Sequence, residues 1–307
     1  MNGIQARGPG LLLFGVPRAF EGEVAVAQRN AIGSWVRLVA PTSVALLGDD
    51  AGVAEAAEEL GAVLIADIAK SRSGAPLLDS VMQAVRSRFG GNVLCYLNAD
   101  VVVIGDMAAV LGKVAEGLDR YLVVARRVDA DLGGTVDFVD GWEAGVLLRA
   151  RESGKTALGA AGSDLFAFAG GTFEDVPPLA IGRCAWDNWM MAEALRRGAA
   201  LVDATACLTL VHQPHGYEHA GVRGRGIAAL RELSRTPEGR RNLELAGGPA
   251  ALRTVDDATH QVVPGPDGPM LVTVALPRRL ASSARRLSST ARYHASELKR
   301  RAGRAAG

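Results

Sequence analysis

The segment Val93-Leu94-Cys95-Tyr96-Leu97-Asn98-Ala99-Asp100-Val101-Val102-Val103-Ile104 points to the class of fold that this chain adopts. Two short apolar runs, Val93–Leu97 and Val101–Ile104, flank a polar break. Apolar runs of this length, rich in β-branched side chains, predict strands that are buried on both faces. Such strands belong to sheets covered by helices on each side. The segment therefore predicts an α/β protein in which Asn98 and Asp100 follow a buried strand.

Strand-like runs alternate with helical patterns on both sides of this segment. Further strands are predicted at Leu11–Val16, Ser43–Leu47, Ala62–Ile65, Tyr121–Ala125, Leu165–Ala169, Leu201–Ala204 and Cys207–Val211. Helices are predicted at Glu23–Val39, Val53–Leu60, Pro76–Phe89, Met107–Leu118, Trp186–Arg197, Gly226–Ser234 and Pro237–Leu245. Residues 127–160 have weak periodicity and receive no assignment. This alternation predicts right-handed βαβ units and a mostly parallel sheet, which binds ligands at the carboxyl ends of its strands.

The composition is typical of a globular protein, with 49% hydrophobic and 22% charged residues among 307. It supplies enough apolar side chains for a core, which excludes wholesale disorder. The longest apolar runs, such as Leu11–Phe14, are far shorter than the roughly 20 residues of a membrane-spanning helix, and we expect no signal peptide. The cysteines Cys95, Cys184 and Cys207 form no CxxC pair, so we expect reduced thiols and a cytoplasmic protein.

Charge and composition divide the chain into three parts. We expect one domain over 1–246, a linker rich in Gly and Pro over 247–276, and a basic tail over 277–307. The tail holds nine Lys or Arg residues and one acid, so it carries +8 of a net charge of +1 and leaves the body at −7. An acidic body argues against nucleic acid as a partner. The tail can lie as an amphipathic helix on the inner face of an anionic plasma membrane, or it can be a solvated, partly disordered segment.

Asn98-Ala99-Asp100 follows a predicted strand almost directly before the next one. A carboxylate at a strand end can hold a hard divalent cation, which usually keeps waters and binds substrate phosphates. The same two polar residues can also do no more than shape a tight turn.

Three of the five histidines fall within the segment His212–His219. Imidazole is a common ligand of divalent transition metals, so one of these histidines can complete a site begun by Asp100. No paired cysteines accompany them, which excludes a zinc finger. The alternative is an exposed loop in which His and Pro only form turns.

Asp187 lies between Trp186 and Trp189 at the start of a predicted helix. It can act as the N-cap of that helix, which would satisfy free backbone N–H groups. It can also act as a general base, because apolar walls raise the pKa of a carboxyl group. The two tryptophans can form a platform for a sugar ring or can belong to the core.

Two further strand ends carry polar residues, Pro17-Arg18 after the first strand and Gly48-Asp49-Asp50 after the second. Arginine can pair with phosphate, and an acid can accept hydrogen bonds from a base or a ribose, although both segments can also be ordinary turns. No GxGxxG, GxxxxGK[ST] or GxSxG motif occurs, which argues against a dinucleotide site of the usual kind, a P-loop NTPase and a serine hydrolase.

The order of these motifs over residues 11–219 resembles the bacterial glycosyltransferases of the GT-A fold, the nucleotide-diphospho-sugar transferase type. The resemblance also includes Gln28–Ile32 and Gly162–Phe166. It implies a Rossmann-like, mostly parallel central sheet flanked by helices, with a helical C-terminal extension. It further implies a metal-dependent enzyme that moves a sugar, such as a hexose, from a nucleotide-diphosphate donor to a glycan or lipid-linked acceptor hydroxyl.

The resemblance also assigns roles to individual residues. It places the metal, Mn²⁺ or Mg²⁺, on Asp100 with His212 or His215, and it makes Asp187 the base that activates the acceptor. Residues implied in donor binding are Pro17, Arg18, Asp49, Asn98 and Asp100, and residues implied near the sugars are Asp164, Trp186 and Trp189. The alternatives are a sugar-phosphate nucleotidylyltransferase, which would need a Gly-rich loop in place of Pro17-Arg18, and a non-catalytic module that binds nucleotide sugars.

Overall fold

One mixed sheet organises the computed structural model, which describes residues 10–90, 93–153, 163–213, 222 and 226–274. Its strands are β1 Leu11–Gly15, β2 Val44–Leu47, β3 Val63–Ile65, β4 Val93–Leu97, β5 Val101–Ile104, β6 Tyr121–Asp129, β7 Ser163–Ala169, β8 Ala200–Asp203, β9 Thr209–His212, β10 His260–Gly265 and β11 Gly268–Thr273. The helices are α1 Gly22–Leu38, α2 Val53–Leu60, α3 Leu78–Phe89, α4 Met107–Gly117, α5 Trp142–Ser153, α6 Trp186–Arg196, α7 Gly226–Leu233 and α8 Pro237–Leu245. The predicted α/β class is confirmed.

The strand order explains where a ligand can bind. The main path runs β11-β10-β8-β6-β7-β4-β1-β2-β3, and β9 pairs with both β5 and β6. Strands β4, β1, β2 and β3 are mutually parallel, as the βαβ pattern predicts. Strand β7 is antiparallel to both of its neighbours, β4 and β6. The carboxyl ends of β1, β4 and β6 therefore meet the beginning of β7 at one edge of the sheet.

The core lies on both faces of this sheet, because successive side chains of a strand point to opposite faces. On β4, Tyr96 belongs to one apolar cluster with Phe14 and Trp186, whereas Leu97 belongs to the other with Trp35. All five residues of β4 are buried. Burial on both faces is the physical reason why this strand reads as a continuous apolar run.

The structure differs from the sequence-based expectation in the segment 247–276. Instead of a linker, the segment contains ordered secondary structure: β10 and β11 form an antiparallel hairpin, and β10 pairs in parallel with β8. A 3₁₀ turn at Val255–Asp257, closed by a capping box with Thr254, leads into the hairpin. The Gly and Pro residues mark the hairpin turn at 265–268, and pairing with a distant strand stabilises the rest.

Helix α5, which lies in the segment without a prediction, was not detectable from periodicity. It buries only Val146 and Ala150, while Leu148 is exposed. A helix with so narrow a buried face lacks the apolar stripe on which helix prediction depends. Strand β6 is also longer than predicted. Its last four residues, 126–129, are mostly polar, so the apolar pattern that predicts a strand ends before them.

Among the helices of the described residues, none combines the length and the apolar character that crossing a membrane requires. The basic tail 277–307 lies outside the described residues. Its interpretation as a membrane-binding or solvated segment stays a prediction.

Gly15 is the last residue of β1 and packs closely against the end of β4. Replacing it should test that contact. A Cβ on Gly15 would lie 2.6 Å from the Leu97 carbonyl oxygen and 2.9 Å from the Trp35 ring. We expect Gly15→Ala to lower the free energy of unfolding by about 1–3 kcal/mol, measured by urea denaturation. Gly112→Ala is the matched control, because nothing lies within 4 Å of its Cβ position in the middle of α4. The control should gain about 0.5–1 kcal/mol, and equal behaviour of both variants would contradict the contact.

Candidate functional site

A cavity of about 150 Å³ opens at the carboxyl ends of β1 and β4. It lies where sheets of this kind bind ligands. Its lining combines side chains from both apolar faces and from the polar strand ends: Val16, Arg18, Gln28, Tyr96, Asn98, Ala99, Asp100, Arg127, Ile181, Gly182, Trp186 and His212.

Asp100 and His212 meet in this cavity because β5 and β9 are antiparallel partners, with Val101 opposite His212. His212 Nε2 lies 3.7 Å from Asp100 Oδ2. On its other side, His212 Nδ1 lies 2.9 Å from Asp129 Oδ1. A carboxylate only accepts hydrogen bonds, so Nδ1 donates to Asp129 and the other ring nitrogen, Nε2, faces Asp100. This carboxylate–histidine arrangement is the one that orients imidazole ligands in metal sites.

A buried amide network holds the backbone of Asp100 next to His212. The Gln213 side-chain amide donates to the carbonyl oxygens of Asp100 at 3.1 Å and Ala27 at 2.8 Å. Its oxygen accepts from Asn30 Nδ2 at 2.9 Å, and the Gln213 backbone N–H also donates to the Asp100 carbonyl. Gln213 and Asn30 are both buried. A fully bonded polar network of this kind rigidifies the position of the groups that it joins.

Asp164 lies behind the cavity wall and is bonded through both carboxylate oxygens. Asn98 Nδ2 donates to its Oδ1 at 2.6 Å, and Arg127 Nη1 donates to its Oδ2 at 2.7 Å. The Arg127 guanidinium also lies 3.3 Å from Asp129 through Nε. Asp164 is only 4% exposed, so it contacts the cavity through Asn98 and Arg127.

Asp187 is the second residue of α6 and not its N-cap, in contrast to one of the two interpretations of the sequence. The N-cap is Ala185, which has a φ of 77° and makes no side-chain capping bond. Burial raises the pKa of Asp187 to about 6, an effect that the charge of Asp164 supports and that the backbone N–H of Asn188 and the charge of Arg127 oppose. A carboxyl group with this pKa is ionised at neutral pH and basic enough to accept a proton.

The two tryptophans of α6 lie in different environments. Trp186 lines the cavity and packs against Tyr96 and Phe166, with ring centroids 5.0 and 5.4 Å apart. Trp189 does not line the cavity. It is 7% exposed and stacks toward Phe173 in the core, at a centroid distance of 6.2 Å. The structure therefore leaves one tryptophan of the expected pair at the site.

A second cavity, of about 450 Å³, adjoins the first and shares Val16, Arg18, Ile181 and Gly182 with it. Pro17 and Asp50 also line it. Asp49 does not line it: its side chain is exposed and lies 2.5 Å from Lys70 Nζ, which lowers the pKa of Asp49. Of the two neighbouring acids, Asp50 is thus the one at the cavity, although it also contacts Lys70 at 3.1 Å.

The described part of the chain contains no group of three or more His, Cys, Asp or Glu side chains arranged to hold a metal ion. It does contain the pair Asp100 and His212. Two ligand atoms that are each about 2.1 Å from one ion lie roughly 3–4 Å apart, which matches their separation of 3.7 Å. His215 and His219 lie outside the described residues.

Arg127 and Asp129 are the site residues that the sequence patterns missed. The predicted strand ended at Ala125, whereas β6 continues through Arg126–Asp129 to the cavity. The available signal was the polar run that directly follows an apolar strand, which is the same signal that identified Asn98 and Asp100.

Comparison with known proteins finds similarity in structure. No protein-family model matches the sequence, and no curated protein matches it. Mannosyl-3-phosphoglycerate synthase from Rubrobacter xylanophilus has 19% identity and a TM-score of 0.42, over 87% of this chain and 86% of that one. Glucosyl-3-phosphoglycerate synthase from Mycobacterium tuberculosis, in complex with Mn²⁺ and UDP-glucose, has 15% identity and a TM-score of 0.44, over 87% of both chains. In complex with phosphoglyceric acid, it has 14% identity and a TM-score of 0.47, over 79% of this chain and 81% of that one.

Proposed function

We propose that this chain is a metal-dependent glycosyltransferase that moves a sugar from a nucleotide-diphosphate donor to an acceptor hydroxyl. One observation carries the proposal: Asp100 and His212 face each other at 3.7 Å in a cavity at the strand ends, which is also lined by Trp186, the residue directly before Asp187. A metal-binding pair and a candidate base at the same site supply the two functions that sugar transfer from a diphosphate needs.

The two adjoining cavities suit the two parts of the donor. Pro17 and Asp50 line the larger cavity, where an acid can accept hydrogen bonds from a nucleoside. Arg18 lines both cavities, so its guanidinium can bind the diphosphate between them. The sugar then occupies the smaller cavity against Trp186, whose ring offers an apolar wall.

The residues present fit a Mn²⁺ or Mg²⁺ ion. Such ions bind one or two protein side chains together with substrate phosphates, so Asp100 and His212 are a sufficient protein contribution. When bound there, the ion would supply positive charge to the diphosphate leaving group. Asp129 holds the His212 ring in orientation, and Gln213 holds the backbone of Asp100.

Asp187 is the base of the proposed reaction. Its carboxylate takes the proton of the acceptor hydroxyl, the acceptor oxygen forms the new bond to the anomeric carbon, and the bond to the diphosphate breaks. The nucleoside diphosphate leaves with the electron pair of that bond. This use of a base corresponds to transfer with inversion at the anomeric carbon.

Ligand-dependent thermal stability tests the proposal. We expect a nucleoside diphosphate or nucleotide sugar to raise the Tm only in the presence of Mn²⁺ or Mg²⁺, because binding to the folded state stabilises it. A panel that varies the base identifies the donor, and slow release of nucleoside diphosphate from the sugar nucleotide reports turnover. Stabilisation without turnover would favour the non-catalytic module. No stabilisation by any nucleotide in the folded protein would contradict the proposal.

The acceptor and the place of action are proposed from the tail 277–307. Its charge of +8 suits an anionic membrane surface and a glycolipid or cell-surface glycan precursor as the acceptor. We expect the full chain to sediment with vesicles that contain anionic lipid at low salt, and a chain truncated after residue 276 to remain in solution. Equal sedimentation of both proteins would contradict a role of the tail.

A further inference from the structure

The side-chain amide of Asn98 is hydrogen-bonded to the carboxylate of Asp164, which lies on β7. Asn98 stands at the first position of Asn98-Ala99-Asp100. Its Nδ2 donates to Asp164 Oδ1 at 2.6 Å, and its backbone N–H donates to the Asp164 carbonyl at 3.1 Å. Asn98 is therefore bonded to Asp164 through both its side chain and its backbone.

These bonds fix the turn that presents Asp100. The Val101 N–H donates to the Asn98 carbonyl at 3.1 Å, which closes the turn between β4 and β5. Asp100 lies within that turn, so its direction depends on where Asn98 is held. The second oxygen of Asp164 accepts from Arg127, which joins the turn to β6.

A carboxylate at position 98 could not replace the amide. Asp164 is nine-tenths or more buried and already uses its other oxygen for Arg127. Two ionised carboxylates at 2.6 Å have no hydrogen-bond donor between them and repel each other in a site with little water. The pairing with Asp164 thus favours an amide at position 98.

We propose that Asp164 is a positioning residue that holds the Asn98–Asp100 turn from β7, and that an amide at position 98 paired with a carboxylate at position 164 is what orients Asp100 toward His212. The proposal rests on the proposed function for its consequence in metal and donor binding. It assigns Asp164 a role behind the cavity wall, whereas the family resemblance implied a place near the sugars.

Exchanging the two groups tests the pairing. We expect Asn98→Asp to lower the Tm and to weaken Mn²⁺-dependent binding of the nucleoside diphosphate by at least about tenfold, as loss of a supporting hydrogen bond does in metal sites. In the double variant Asn98→Asp/Asp164→Asn, the amide at position 164 donates to position 98 and accepts from Arg127. The double variant should therefore recover most of the Tm and of the binding, and should exceed either single variant.

Ser34→Ala is the matched control for general loss of stability. Ser34 is buried, and its Oγ accepts from the Val103 N–H at 3.1 Å, in the strand that follows the turn. This variant should lower the Tm without changing Mn²⁺-dependent binding.

A double variant whose Tm loss equals the sum of the single losses would overturn the pairing. Wild-type binding in Asn98→Asp would overturn the positioning role. If wild type itself shows no Mn²⁺-dependent binding, the proposed function fails, and the Tm cycle without ligand still decides the pairing.

Discussion

Replacing Asp100 with alanine is expected to abolish Mn²⁺-dependent stabilisation by a nucleoside diphosphate and to lower kcat/KM by at least about 10³-fold. The change removes one of the two side chains that face each other at 3.7 Å in the cavity. His212 alone then offers the ion a single protein ligand, and the diphosphate leaving group loses its counterion. Thermal-shift titrations with Mn²⁺ and nucleotide, together with nucleoside diphosphate release, measure both effects.

Asp106→Ala is the matched control for Asp100→Ala. Asp106 follows β5 and caps α4, where its side chain accepts from the Ala109 N–H at 2.9 Å. Loss of this cap should cost about 1 kcal/mol of stability and leave the response to Mn²⁺ and nucleotide unchanged. An Asp100→Ala protein that binds Mn²⁺ and nucleotide as wild type does would show that the metal assignment is wrong.

Asp187→Asn is expected to lower kcat by about 10²–10⁴-fold with little change in donor binding, because an amide cannot accept the proton of the acceptor hydroxyl. In wild type, the pKa of about 6 predicts that kcat/KM falls as the pH drops below about 6, where the base becomes protonated. Initial rates from pH 5 to 8 measure this limb of the profile. The limb should be absent from the residual activity of the variant.

The same substitution should stabilise the protein. Burial raises the pKa of Asp187 from 3.8 to about 6, so the fold favours the protonated form and the stability contributed by this group is lost as the pH rises through about 6. Above that pH, the ionised group costs on the order of 3 kcal/mol, and asparagine removes this cost. We therefore expect a higher Tm for Asp187→Asn at pH 7.5 and no gain at pH 4.

Asp79→Asn is the control for this effect. Asp79 is the second residue of α3, the same helical position that Asp187 holds in α6. Its replacement removes the favourable charge at a helix N-terminus, which is worth about 0.3–1 kcal/mol, and should leave turnover unchanged. An Asp187→Asn protein with full activity, or with a stability loss like that of Asp79→Asn, would contradict the assignment of Asp187 as a desolvated base.

The strand ends were the part of the site that sequence patterns could identify. Val93–Leu97 and Val101–Ile104 have the predicted bounds, since a continuous apolar run reflects burial on both faces. Asn98 and Asp100 follow from these bounds and line the cavity. Arg127 was not predicted as a site residue, because the polar residues in the last part of β6 have the composition of a loop.

Sequence patterns could not distinguish neighbouring residues of the same type that have different tertiary surroundings. Trp186 and Trp189 share a helix, yet only Trp186 reaches the cavity, because the first turn of α6 borders it and the next residues enter the core. Asp49 and Asp50 are adjacent in sequence, yet only Asp50 lines a cavity. Trp189 packs against Phe173 in the core, and of the two acids that contact Lys70 only one borders the cavity, so local sequence does not decide these outcomes.

Outside α5, β10 and β11, the amino-acid sequence alone indicates the order of strands and helices and the polar residues that end them. These features depend on periodicities of about 2.0 and 3.6 residues, which are local. The meeting of Asp100 with His212, and of Asn98 with Asp164, follows instead from the pairing of β5 with β9 and of β4 with β7. Hydrogen bonds and apolar contacts between segments that are distant in the sequence determine this pairing. The site therefore forms only when the sheet has folded.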